Sequence, residues 1–179
     1  MRKVVAFTLR LLIVVLICAF FPGSLALCQG TAAPTQEKGK EKVTLLQQAL
    51  PEAERFEKVE KDGLLYEVGY RGQERVGGVF YTDGMGYRTL MRVMVGIDEQ
   101  GKVVEVVLYS HNETPALWTK DADAQFRSQF RGKSGPFILK RDDPSGNLDG
   151  VASATVSCRA IIGAVEEALR IFKREWGKQ

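Results

Sequence analysis

The stretch Asp149-Gly150-Val151-Ala152-Ser153-Ala154-Thr155-Val156-Ser157 leads from a polar, glycine-containing loop into a run with apolar residues at Cys158, Ile161, Ile162, Val165, Ala168, Leu169 and Phe172. Spacings of three and four place those side chains on one face of a helix. A helix start presents unpartnered backbone N–H groups and a partial positive charge, and small hydroxyl residues there leave room for a phosphate. Ser and Thr at a helix start also serve as plain caps, so these residues alone leave an anion site and a cap both open.

Two other stretches carry chemistry-bearing residues. Ser110-His111-Asn112-Glu113-Thr114-Pro115-Ala116-Leu117 holds the only histidine of the chain. Glu113 and Thr114 either cap the turn before Pro115 or contact a ligand, and His111 is either structural or a proton-sensitive contact. Gly84-Met85-Gly86-Tyr87 reads as a glycine turn that presents an aromatic ring. Trp118 could stack on a ring, but its expected place is packed against the sheet. Cys158 has no neighbour that would make it a reactive thiolate, and Lys133 and Lys140 are either solvated or close to a phosphate.

These residues need elements to position them. Leu46, Leu50 and Ala53 predict one or two short helices over Val43 to Lys58, broken at Pro51. Leu64–Tyr70 and Arg75–Thr82 predict a hairpin turning at Arg71-Gly72-Gln73. A loop at Asp83–Gly86 leads to a strand with alternating Thr89, Met91, Val93, Val95 and Ile97. A turn at Asp98–Gly101 returns as Val103–Tyr109 and delivers His111–Pro115 onto a loop. Ala122–Phe130 predicts a short helix, Phe137–Lys140 a strand, and Arg141–Gly150 a polar loop. The fold class is α+β, a mainly antiparallel sheet with packed helices in a single domain.

Arg2, Lys3 and Arg10 precede an apolar run from Leu11 to Phe21, followed by Pro22, Gly23 and small residues, in the order of a secretory signal. Residues 1–30 read as a signal peptide or an N-terminal membrane anchor, the run being slightly short of a full span. Either reading puts the folded part outside the cytoplasm, in the periplasm or on the outer face of the cell membrane. Cys28 marks a lipidation site or the tail of the signal. Residues 31–42 are polar and read as a flexible tether, and residues 43–179 as one domain. The first 30 residues hold three of the 25 basic residues and none of the 22 acidic ones, so the remainder carries 22 of each. A neutral domain has no electrostatic footprint for nucleic acid.

The run Val151–Ile161 resembles the flavin-attachment segment of the FMN-binding subunits of the Rnf electron-transport complex and of the sodium-pumping NADH:quinone oxidoreductase, where Ser/Thr-Gly-Ala-Thr carries FMN on its threonine. Ala152 and Ser153 stand where that family has a hydroxyl residue and glycine. The stretch from His111 is similar to the family's His-x-Glu-Thr-Pro-Gly-Leu-Gly loop, with Ala116 and Trp118 replacing its glycines. Gly84–Tyr87 is similar to its Gly-Tyr-Gly turn, and Phe126–Ser134 to its short helix with a Gly-Lys-Ser exit. The matches keep the family's order from about Tyr66 to Val165.

The resemblance implies FMN as cofactor, esterified through its phosphate to Thr155, with Ser153 and Ala154 beside it and Glu113, Thr114, Tyr87 and His111 lining the flavin. It implies electron transfer within a membrane-associated redox chain, with membrane redox-complex subunits and a flavin transferase as partners and the N-terminus as the membrane contact. The chain is then a relay rather than a self-contained enzyme. Two alternatives stand: a reductase with non-covalent FMN, suggested by Ser153, and a flavin-free scaffold, suggested by all four departures. As loop residues, Glu113 and Thr114 are expected to affect flavin retention more than folding.

Overall fold

The computed structural model describes residues 34–114 and 118–176. In chain order the elements are α1 (Pro34–Ala49), β1 (Arg55–Lys61), β2 (Leu64–Arg71), β3 (Glu74–Met85), β4 (Leu90–Asp98), β5 (Val103–Ser110), α2 (Lys120–Ser128) and α3 (Thr155–Trp176). The strands form one antiparallel meander in the order β1-β2-β3-β4-β5. The expected α+β class is what the chain adopts.

Both faces of the sheet are covered. Along β3, Val79 and Phe80 point to opposite faces, and neither is exposed. Phe80, Val93, Val95 and Ile97 join the apolar side of α3 in the larger core, together with Phe126, Phe130 and Trp118. Val79, Met94 and Val107 meet Leu46, Ala49, Leu50 and Ala53 in a second core beneath the end of α1. Burial on both sides explains why Val93–Ile97 shows no exposed residue.

The C-terminal end of α3 is clamped to the sheet. Trp176 stacks on Phe172 at 5.1 Å, and both rings meet Phe80 edge-on. The Trp176 indole N–H donates to Glu99 at 3.1 Å, while Lys61 donates to the buried Glu175 carboxylate at 3.1 Å. That ammonium hydrogen bond holds Glu175 below the usual carboxylate range against the opposing effect of burial, with Arg174 adding to it.

Four expectations differ from what forms. α1 begins at Pro34, inside the polar stretch read as a tether, where proline suits a first helical position. It ends at Ala49, and residues 55–58, expected to be helical, belong to β1; that segment lacks a helical apolar period and gains its structure from pairing with β2. Asp83–Met85 extends β3 instead of looping. Phe137–Lys140 makes only a single bridge, Leu139 to Leu148. There the Asn147 side chain substitutes for a partner strand, accepting from the Ile138 amide at 3.1 Å and donating to the Pro136 carbonyl at 2.9 Å. Among the described residues no helix is long and apolar enough to cross a membrane. The leader at 1–30, and Pro115, Ala116 and Leu117, lie outside the described residues.

Candidate functional site

The site forms around the first turn of α3. The first helical bond runs from the Cys158 amide to the Ala154 carbonyl at 3.0 Å, which makes Ala154 the N-cap and leaves the amides of Thr155, Val156 and Ser157 without intrahelical acceptors. Alanine has no side-chain oxygen to give them. The cap reading of this segment therefore fails at the cap position itself, and the anion reading gains. Thr155 is half-buried at the mouth of a cleft of about 350 Å³, lined by Tyr87, Glu113, Thr114, Trp118, Arg141 and residues 153–157.

Three contacts shape the segment that enters the helix. The Gln129 side-chain amide pairs with the Asp149 backbone, accepting from its N–H at 2.7 Å and donating to its carbonyl at 3.0 Å. The Cys158 sulfur accepts from the Val151 amide at 3.3 Å. The Ala154 amide turns back to the Val151 carbonyl at 3.1 Å. To make that turn, Ser153 adopts φ +62°, the left-handed region that favours glycine. This is the position at which the resembling segment carries glycine.

Glu113 lines the cleft and is also bonded across it. It is 6% exposed, and its carboxylate accepts the Ser157 hydroxyl at 2.5 Å, tying the loop after β5 to the first turn of α3. Gly86 is needed for this, because a Cβ there would lie 2.4 Å from the Glu113 carboxylate. Gly84 serves the same end elsewhere, since a Cβ there would lie 2.3 Å from the Ala160 carbonyl, and glycine lets β3 run close under the helix. The loop is further fixed by the Thr89 hydroxyl, which accepts from the Asn112 amide at 3.2 Å, and by the Thr114 carbonyl, which accepts from the Trp118 amide at 2.9 Å.

The structure thus brings Thr155, Ser153, Ala154, Glu113, Thr114 and Tyr87 to one cleft, with Tyr87 exposed at its rim. His111 is exposed and does not line the cleft; its Nδ1 meets the Glu113 amide at 3.5 Å. Trp118 is a core aromatic that also forms a cleft wall, its ring edge-on to Phe126 and its indole N–H donating to Asp123 at 3.2 Å. Cys158 is buried, and burial pushes its thiol up, away from thiolate character. Lys133 donates to the Asn147 carbonyl and Lys140 pairs with Asp149, both away from the cleft.

Sequence reasoning missed Arg141. Its guanidinium donates to the Thr155 hydroxyl oxygen at 3.0 Å, and no local pattern marks one arginine in a polar loop as facing a helix start. Asp142 beside it is gripped by Arg159 at 2.6 and 3.1 Å, and the Arg159 hydrogen bond holds the Asp142 carboxyl below its ordinary range. Chemically, the site offers a hydroxyl nucleophile, free amides and a guanidinium on one side. On the other it offers apolar and aromatic walls with the polar Thr114 at the edge. Among the described residues no group of His, Cys, Asp and Glu is arranged to hold a metal ion.

Comparison with known proteins matches this architecture. Residues 86–170 match the family described as FMN-binding domain. The chain is 29% identical over 122 residues to the G subunit of the proton-translocating ferredoxin:NAD(+) oxidoreductase complex of Clostridium ljungdahlii, covering 66% of this chain and 64% of that one. It is 35% identical over 95 residues to the G subunit of the ion-translocating oxidoreductase complex of Pseudomonas aeruginosa, covering 49% and 44%. The chain therefore spans less than two thirds of the length of these relatives. In fold it is similar to the crystal structure of Shewanella oneidensis NqrC, with TM-score 0.53 and 16% identity over 73% of this chain and 74% of the other. The span that matches the FMN-binding domain family, residues 86–170, contains the cleft from Tyr87 through Thr155.

Proposed function

We propose that this chain is the FMN-carrying electron-transfer subunit of a membrane-associated, ion-translocating oxidoreductase complex of the Rnf or Nqr type, with the flavin phosphate esterified to Thr155. The observation that carries it is the first turn of α3: a half-buried threonine lining the cleft, next to amides that the Ala154 cap leaves unpaired. The relatives' membership in ion-translocating complexes supports the kind of partner.

The residues fit the group. Amides at a helix N-terminus suit a phosphate, and a cleft of about 350 Å³ with Tyr87 and Trp118 in its walls suits a planar ring. FMN supplies one- or two-electron chemistry when bound. The protein's own work is to hold and exclude. Thr155 fixes the phosphate end, Trp118 and Tyr87 flank the opening, and Thr114 offers polar contact at the rim. Glu113 keeps the loop closed on the helix through Ser157.

The leader supports a position outside the cytoplasm, with the N-terminus as the membrane contact. Replacing Leu11–Leu16 by polar residues then leaves the protein in the cytosol; unchanged export overturns that part.

The decisive measurement is in-gel flavin fluorescence and peptide mass after coexpression with a flavin transferase. Wild type keeps fluorescence through denaturation and Thr155→Val loses it, with the added mass on the peptide containing Thr155. A wild type that binds FMN but releases all of it on denaturation overturns the ester and leaves a non-covalent carrier. A protein that acquires no flavin under either condition overturns the carrier.

A further inference from the structure

We propose that Arg141 is the phosphate-recognition residue of the flavin site, and that it sets both the preference for FMN over unphosphorylated flavin and the readiness of Thr155 to be loaded. The inference rests on the reading of Thr155 as the attachment point.

A guanidinium has only donors, so in the 3.0 Å contact the Thr155 oxygen accepts from Arg141 and its own hydrogen is directed elsewhere, free for the base that must remove it. Loading forms a bond from the Thr155 oxygen to the flavin-side phosphorus of a flavin adenine dinucleotide and breaks the anhydride. AMP leaves, the hydroxyl proton passes to the transferase, and nothing is oxidised or reduced. The diester that remains carries one negative charge beside the guanidinium. Free amides provide partial charges only, whereas an arginine provides a full one in a geometry matched to two phosphate oxygens.

Arg141 is placed there by construction. Arg159 lies one helical turn beyond Thr155 and grips Asp142 through two nitrogens, at 2.6 and 3.1 Å. The Asp142 amide is bonded to the Leu139 carbonyl at 2.9 Å, and Leu139 is buried in the core. The backbone on both sides of Arg141 is thereby tied to the helix that carries Thr155. With Asp142 engaged by Arg159, the neighbouring carboxylate is occupied by another cation. The two lysines of the region are also committed, Lys133 to the Asn147 carbonyl and Lys140 to Asp149.

The test uses the mature protein in two arms. In the first, binding of FMN and of riboflavin is titrated against Thr155→Val and Thr155→Val/Arg141→Gln. The second substitution is expected to weaken FMN roughly tenfold, the size of one charge-assisted contact, and to leave riboflavin unchanged. In the second arm, the rate at which denaturation-resistant fluorescence appears with a flavin transferase and FAD is compared for wild type, Arg141→Gln, Arg141→Lys and Lys140→Gln. Arg141→Gln is expected to be slower by roughly tenfold, Arg141→Lys to recover most of the rate, and Lys140→Gln to match wild type. Equal loss of FMN and riboflavin, or unchanged FMN affinity, overturns the proposal. A wild type that is never loaded overturns the ester instead, while the FMN-against-riboflavin comparison still decides Arg141.

Discussion

The two ends of α3 are built on opposite terms. At the C-terminal end polar groups are tied to the sheet: Glu175 accepts from Lys61, the Trp176 indole donates to Glu99, and the Arg75 guanidinium lies 4.8 Å over the Trp176 ring. At the N-terminal end the cap is an alanine, the first amides have no helical partner, and Ser153 is in the left-handed region. One helix thus ties its far end to the sheet, while the first amides of its near end face the cleft proposed for the flavin. Stability and function separate along a single element, so substitutions at the two ends should separate them too.

Trp176→Ala should have the largest effect on folding. Removing a buried tryptophan from a cluster with Tyr66, Phe80 and Phe172 costs about 4 kcal/mol, read from urea unfolding midpoints, while flavin loading of the folded fraction stays at the wild-type level. Loss of loading in protein that is still folded would show that the two ends are coupled.

The same end carries an acid dependence. Glu175 sits below the usual carboxylate range because of Lys61, so its stabilisation is complete above that range and is lost as pH falls through it toward the lowered value. Thermal midpoints of wild type and Glu175→Gln should therefore differ by a constant amount from pH 7 to about 5, then converge below about 4.3. A difference that grows with acid would contradict the ion-pair assignment.

Glu113 tests the near end. Resemblance implied a flavin contact and loop position a residue dispensable for folding, but a buried carboxylate accepting the Ser157 hydroxyl also ties the loop to α3. Glu113→Ala should cost about 2 kcal/mol by leaving Ser157 unpaired, and a double-mutant cycle with Ser157→Ala should show coupling of about 1 kcal/mol. Unchanged stability with flavin loss would return Glu113 to the role of a ligand.

What the sequence made legible follows from the range of the interactions involved. The apolar period of α3 and the alternation of β4 are local patterns, and both elements form where those patterns lie. β1 has no such pattern and exists by pairing with β2. Thr155 was found through the resemblance of its segment. Its surroundings were not, because the Glu113–Ser157 bond joins positions 44 apart and the Arg141–Thr155 contact crosses the polar loop between them. Lys133 and Lys140, read from sequence as either solvated or close to a phosphate, turn to carbonyl and carboxylate partners.

Ser153 yields the smallest and most discriminating effect. Its departure from glycine was visible in the sequence, but only the φ of +62° says what it costs. A non-glycine residue in the left-handed region loses about 1 kcal/mol to contact between its Cβ and the following carbonyl. Glycine removes that contact but adds freedom to the unfolded chain, which returns a little over half of the gain. Ser153→Gly should therefore stabilise the protein by only about 0.5 kcal/mol, whereas Ser153→Val, β-branched at positive φ, should destabilise it by about 1 kcal/mol. The effect on loading should be larger than the effect on stability. The segment is exposed at residues 152 and 153, next to the hydroxyl that a transferase would reach under the proposed ester, and glycine both clears space and lets the turn yield. In-gel fluorescence after limited coexpression should then rise in Ser153→Gly and fall in Ser153→Val, with urea midpoints moving in the same order. Loading that rises with no change in midpoint would assign the effect to access alone. A Ser153→Gly variant that is less stable than wild type would show that the serine is at ease in this turn and that the near end of α3 stores no strain.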